Sequence, residues 1–154
     1  ANNDPAADYP AAVLGLGATV HTTKRDIAAD DFFQGLFTTA LEDGEIVTRV
    51  TFPIPARAAY EKFRHPASRY AMTGVFAAQM KDGSIRVAVT GAGADGVFRA
   101  SEFERALAAN PTPAALDGLS VDPSGMLSDI HGSAAYRANL VKVMARRAIG
   151  GWAG

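Results

Sequence analysis

Residues 70–90 read YAMTGVFAAQMKDGSIRVAVT, and their pattern decides the fold. Two apolar runs, Tyr70 to Met80 and Ile85 to Thr90, flank Lys81-Asp82-Gly83. An Asp-Gly pair between such runs signals a hairpin, because glycine takes the left-handed backbone that a tight turn needs. The stretch therefore predicts two antiparallel strands. Downstream, the signals turn helical. Ser101-x-x-Glu104 reads as a capping box on a helix from Ser101 to Ala109, stopped by Asn110-Pro111. Pro113 starts a short helical turn, and Asp117 to Gly132 is loop-rich, with the turn pairs Asp122-Pro123 and Ser124-Gly125. Ser133 caps a last helix whose apolar face is Tyr136, Leu140, Val143, Met144 and Ala148, ended by Gly150-Gly151. Strands first and helices after argue for an α+β unit rather than a parallel α/β one.

Upstream of the hairpin the signals alternate. Pro10 opens a short helix over Ala11 to Leu16, ended by Gly17, and Ala18 to Thr23 is a β-branched strand. Asp30-Asp31 predict a capped helix through Phe37, with Phe32, Phe33, Leu36 and Phe37 at helical spacing. Asp43-Gly44 is a turn, and Glu45 to Phe52 is a strand ended by Pro53. The run Pro53-Ile54-Pro55-Ala56 is the expected domain boundary. It divides the chain into residues 1–55 and 56–154.

Composition narrows the function classes. The 154 residues are 48% hydrophobic, with 15 basic and 16 acidic side chains for a net charge of −1. A chain of this length buries roughly 70% of its unfolded surface, so it needs no disulfide or metal to fold. The balanced charge gives no case for a nucleic-acid or anionic-membrane partner. Lys142, Arg146 and Arg147 cluster at helical spacing and read as a solvated helix face. With no cysteine, the chain supplies no disulfide, thiolate zinc site, iron–sulfur cluster or cysteine nucleophile, which fits a cytoplasmic location. No apolar run approaches the roughly 20 residues of a membrane span. The start, Ala1-Asn2-Asn3-Asp4, lacks the basic and apolar regions of a signal peptide and lacks Met, and is read as falling inside a longer protein.

Gly91-Ala92-Gly93-Ala94-Asp95-Gly96 matches G-x-G-x-x-G. That fingerprint works only where a helix starts at the glycines after a parallel strand. Here the preceding strand belongs to a hairpin and the next helix cap is Ser101, so a glycine turn is the expectation. His21, His65 and His131 lie far apart and lack metal-ligand spacing, and no G-x-S-x-G elbow supports a hydrolase. Two other segments carry more. The run Asn2 to Pro10 is dense in Asn, Asp and Pro, whose side chains and free amides suit a polar ligand. The segment Tyr60-x-Lys62, with Ser68-Arg69-Tyr70-Ala71 after it, puts a lysine between apolar neighbours just before a long strand.

In this order and separation, these segments resemble the FAD-binding medium subunit of the molybdenum hydroxylases, the family of carbon monoxide and xanthine dehydrogenases. Asp4-Pro5-Ala6-Ala7-Asp8-Tyr9-Pro10-Ala11 is similar to its second flavin loop, which normally follows a Gly-Gly pair. Asp31-Phe32-Phe33-Gln34-Gly35, Thr38-Thr39-Ala40-Leu41 and Gly44-Glu45-Ile46 are family-like as well. So are Tyr60-Glu61-Lys62-Phe63, Val87 to Ala92, Arg99-Ala100 and Ser128 to Arg137, although Arg69 stands where the family usually has Asp. The family's first, glycine-rich nucleotide lobe has no counterpart here, so the resemblance covers roughly the second half of such a subunit.

The resemblance implies a fold: a remnant of the second lobe of the FAD-binding domain, then a C-terminal α+β domain with an antiparallel sheet packed on helices. It implies FAD as cofactor. Asp8 would hydrogen-bond the FAD, Leu41 and Val47 would lie close to its ring, and Lys62 would stabilise electron density there. No catalytic residue of this chain is implied. The expected complex is an oxidoreductase with a large subunit holding the molybdenum cofactor and a small subunit holding iron–sulfur clusters, from which FAD passes electrons to an external acceptor. Two other readings stay open: a structural docking module that binds FAD weakly or not at all on its own, and a stand-alone α+β domain for a small ligand.

Overall fold

A computed structural model describes residues 1–153. The decisive hairpin forms as its pattern requires. Taking strands and helices in chain order, the N-terminal part holds helix α1 (Tyr9–Gly15), strands β1 (Thr19–Thr22) and β2 (Asp26–Ala28), the single helical turn α2 (Ala29–Phe32), and strands β3 (Phe33–Gly35), β4 (Thr38–Thr39) and β5 (Val47–Thr51). Strands β6 (Arg57–Arg64), β7 (Ala71–Gln79), β8 (Ile85–Thr90) and β9 (Phe98–Arg99) follow, then helices α3 (Ser101–Ala109) and α4 (Ala134–Gly150). Among the described residues the strands make three antiparallel sheets, ordered β2-β1-β5, β3-β4 and β6-β7-β8-β9. The protein is α+β.

The four-stranded sheet is covered on both faces. Alternate residues of β7 and β8 (Val75, Ala77, Val87 and Val89) pack against Phe103, Leu107, Val141 and Met144 of α3 and α4. The opposite set, Phe76 and Ala88 with Tyr60 of β6, meets Ala11 and Leu14 of α1. The period-two alternation of a strand separates these two sets. Helix α1 lies close because Gly15 faces the sheet: a Cβ there would come within 2.6 Å of the Phe76 ring. Arg86 of β8 donates to the Leu14 carbonyl (2.8 Å), which also accepts from the Gly17 amide at the end of α1, and to Asp30 (2.7 Å).

Three expectations need correction. The helix expected from Asp30 through Phe37 is one turn long. Its carboxylate at Asp30 is committed to Arg86 and Arg99, and the Gln34 amide donates to the Asp31 carbonyl (2.6 Å), which helps turn the chain into the pairing of Phe33 with Thr39. The capping box at Ser101 does not form, because Glu104 instead accepts from the Val87 amide (2.8 Å) and from Arg99 (2.7 Å). The buried face of α4 is rotated from Tyr136, which is exposed, toward Val141, Ala145 and Arg137. The Ser133 cap is present, with its hydroxyl oxygen accepting from the Tyr136 amide (3.2 Å).

Arg137 is 1% exposed. It donates to the carbonyls of Met72 (2.7 Å) and Gly91 (3.0 Å), and to Asp129 (2.7 Å). Burial opposes the Asp129 charge, yet Arg137 and the amides of His131 and Gly132 hold that carboxyl below its usual range. Gly91, at φ +82°, takes the left-handed backbone where β7 and β8 converge, and a Cβ there would strike the backbone of Ala71 and Met72. Arg137 thus ties α4 to the end of the sheet. Replacing it with Ala removes a donor from two buried carbonyls and the partner of Asp129, and the unfolding free energy should fall by about 3 kcal/mol, read from the urea midpoint at constant m.

Candidate functional site

Asp8 sits at the N-cap position of α1 but does not cap its own helix. Its carboxylate reaches across to β6, where one oxygen accepts from the Tyr60 hydroxyl (2.5 Å) and the other from the Lys62 ammonium (2.7 Å). Tyr60 and Lys62 are two residues apart on one strand, so both point to the face that α1 covers. The Lys62 side chain is 17% exposed and that of Asp8 is 45% exposed. Burial, and then the hydrogen bond and charge of Asp8, push the Tyr60 phenol far above its ordinary range, so it stays a donor.

The other two expected site residues lie with Asp8 in the N-terminal part of the chain. Leu41 and Val47 are half-buried against the core formed by α1, β1 and β2. Val47 lines a small apolar cleft of about 80 Å³ together with Tyr9, Pro10, Val13, Phe33 and Val50. Tyr9 follows Asp8 in sequence and is itself exposed, so the acid and the cleft share the start of α1. Leu41 is not among the residues that line this cleft; it belongs to the loop leading into β5.

That loop is pinned by Glu45, whose side chain is fully buried. Glu45 accepts from Arg25 Nε (3.1 Å), the Thr22 hydroxyl (2.6 Å) and the Glu42 amide (2.8 Å). Those three donors, Arg25 foremost, lower its carboxyl to about 2. Glu45 falls in the family-like segment Gly44-Glu45-Ile46, but no local spacing reveals its role, because its partners Thr22 and Arg25 are 20 or more residues away.

The N-terminal loop does not present all its amides to solvent. Asn3 is 2% exposed, its side chain donating to the Gly35 carbonyl (2.6 Å) and accepting from the Val97 amide (3.3 Å). The glycine motif makes room for it. A Cβ on Gly96, at φ +97°, would come within 2.5 Å of the Asn3 amide. The third glycine of the fingerprint therefore admits a side chain of the same protein.

The sequence separation of the histidines hides a contact: His65 Nε2 and His131 Nδ1 are 3.4 Å apart, and Tyr70 stacks on His65. His65 Nδ1 accepts from the amides of Ala67 (3.2 Å) and Ser68 (3.3 Å). In the neutral ring this places the proton on Nε2, directed at His131.

Comparison with known proteins defines the class first. Residues 1–55 match the family described as the FAD binding domain in molybdopterin dehydrogenase. The carbon monoxide dehydrogenase medium chain of Afipia carboxidovorans is 30% identical over 164 residues, which cover 97% of this chain and 57% of that protein. The nicotine 6-hydroxylase medium subunit of Paenarthrobacter nicotinovorans is 32% identical over 166 residues, with the same coverage. A solved structure of reconstituted CO dehydrogenase from Oligotropha carboxidovorans superposes with a TM-score of 0.81 at 29% identity, over 97% of this chain and 57% of its own. The chain is thus similar over almost its whole length to FAD-binding medium subunits of the molybdenum hydroxylases, and it spans little more than half the length of the curated relatives it matches.

The buried ionised Glu45 gives a pH signature. Its folded value of about 2 lies below the roughly 4.3 of an unfolded glutamate, so its stabilisation is fully present above about pH 4.5. It is lost progressively as pH falls toward 2. Thermal midpoints measured from pH 6 to pH 2 should fall more steeply in the wild type than in Glu45→Gln; parallel curves would remove Glu45 as the source.

Proposed function

We propose that this chain is part of a flavin-carrying electron-transfer subunit of a molybdenum-containing hydroxylase or dehydrogenase. It would work in the cytoplasm beside a large molybdenum-cofactor subunit and a small iron–sulfur subunit. The observation that carries this reading is the cluster of Asp8, Tyr60 and Lys62 at the start of α1, the helix whose Tyr9 and Pro10 line an apolar cleft with Val47. In the division of labour we propose, residues 1–55 supply one wall of the flavin site and residues 56–154 the α+β domain that braces it.

The residues present fit FAD. Asp8 keeps its outward face open while its inner lone pairs are used, so it can accept from ligand hydroxyls. Lys62 brings a fixed positive charge next to the acid, held by a direct ion pair. Val47 gives a flat apolar group an aliphatic surface, and Leu41 backs the same loop. FAD, when bound, supplies the redox chemistry. The chain's own part is to bind, to orient, to exclude water and to fix charge beside the ring. The substrate would be selected in the large subunit.

Removing the acid is the direct test. In the subunit purified with its partners, Asp8→Ala should weaken FAD retention by roughly 10- to 100-fold, the loss of a charge-assisted hydrogen bond. Flavin absorbance against protein after gel filtration measures it. Equal flavin content in wild type and variant would remove Asp8 from the site, and a wild-type complex without flavin would remove the function.

A further inference from the structure

Asp8 has no orientation of its own. It follows a turn, leaves its own helix uncapped and carries a half-exposed side chain with two free torsions. Both restraints come from β6, and they differ in kind. The Lys62 ammonium is a point charge on a flexible four-carbon stem. The Tyr60 hydroxyl sits at the end of a rigid ring.

That ring is held in place. Tyr60 packs at 6.4 Å and 32° against Phe76, its partner in the β6–β7 register. Its tip extends over Gly74, the residue paired with Lys62. A Cβ on Gly74 would lie 2.9–3.0 Å from the Tyr60 ring carbons and closer still to the hydroxyl. Gly74 has an ordinary backbone conformation, so its lack of a side chain serves space. The slot delivers the Tyr60 hydroxyl to the carboxylate that Lys62 also reaches.

We infer that Tyr60 is the positioning residue of this site, with Gly74 as its slot: its hydroxyl fixes the Asp8 carboxylate in the orientation that pairs Lys62 and turns the unused lone pairs outward to a ligand's hydroxyl groups. A carboxylate has about four such acceptor sites, and Tyr60 and Lys62 take one on each oxygen. Preorganising the acid in this way spares a ligand the ordering of a mobile side chain. The identity of the ligand rests on the flavin reading; the positioning itself does not.

Two variants separate the hydroxyl from the space it uses. Tyr60→Phe keeps the ring and removes the donor, while Gly74→Ala keeps the donor and displaces it. In the full chain, an amine-acylating ester followed by peptide mapping reports how firmly Lys62 is paired, with the exposed Lys81 as internal reference. Both variants should raise Lys62 labelling relative to Lys81 by roughly two- to fivefold, the range of a partly exposed ion pair released from its partner. A near-wild-type melting temperature qualifies each variant, and either one suffices if the other fails to fold. Unchanged Lys62 labelling in a folded variant would overturn the inference. FAD titration is the second arm, with Tyr60→Phe expected to weaken binding about tenfold. If labelling rises while neither Tyr60→Phe nor Asp8→Ala alters FAD binding, positioning stands and the flavin reading falls.

Discussion

Strand β7 cannot face water on either side, and the position of the candidate site depends on that constraint. Seven of its nine residues are buried, and its side chains alternate between apolar groups on both faces of the sheet. Helices α3 and α4 cover one face, but they cannot reach the other. The N-terminal helix α1 must therefore pack there, and Gly15 lets it approach the Phe76 ring closely enough to do so. The contact of Ala11 and Leu14 with Phe76 and Ala88 removes apolar surface from water, and that burial drives the packing. Once α1 lies on the sheet, the residue at its start is set beside β6. Asp8 meets Tyr60 and Lys62 as a consequence of packing.

Polar ties then fix the orientation that apolar packing leaves loose. Arg86 on β8 holds the C-terminal end of α1 and Asp30 together, while Arg99 joins Asp30 to Glu104 on α3. These groups pass from the N-terminal unit through the sheet edge to the helical layer. On the other side Arg137 performs the corresponding task for α4. Each of these arginines bonds to backbone carbonyls or to more than one acid, which its planar donor fork allows and a lysine ammonium does not match.

The sequence made the regular elements legible and left the pairings out of reach. The β7–β8 hairpin, α3 and the Ser133 cap of α4 follow from alternation, turn chemistry and capping, all of which act within a few residues. The helix expected after Asp30 failed because Asp30 is drawn to Arg86 and Arg99, 56 and 69 residues away. Glu104 was lost to its own cap by the same kind of competition. Asp8 and Lys62 were each singled out, but their mutual bond spans 54 residues and no local pattern encodes it. Tyr60 was quoted as part of Tyr-x-Lys, whose two-residue spacing does encode a shared face; what it could not show was that Gly74 leaves room for the ring. The glycine motif misleads for a related reason: the space created by Gly96 is filled by Asn3, 93 positions earlier in the chain.

The electrostatic half of the site and its apolar half reinforce one another through water. An ion pair such as Asp8–Lys62, with one partner about half exposed, is screened and contributes about 1 kcal/mol or less. Its strength scales inversely with the local dielectric constant, so covering it changes its worth several-fold without moving an atom. In the function proposed above, the cleft lined by Tyr9, Val47 and Val50, which shares the start of α1 with this pair, is the surface on which a flat apolar group would seat. Seating such a group removes water from both halves at once. Tyr60 prevents the carboxylate from turning away as that happens, because its hydroxyl keeps its proton and its ring is packed against Phe76 and over Gly74. A loosely held pair in the open protein thereby becomes a fixed dipole in the covered one, and the orientation chosen by Tyr60 is the one the covering group meets.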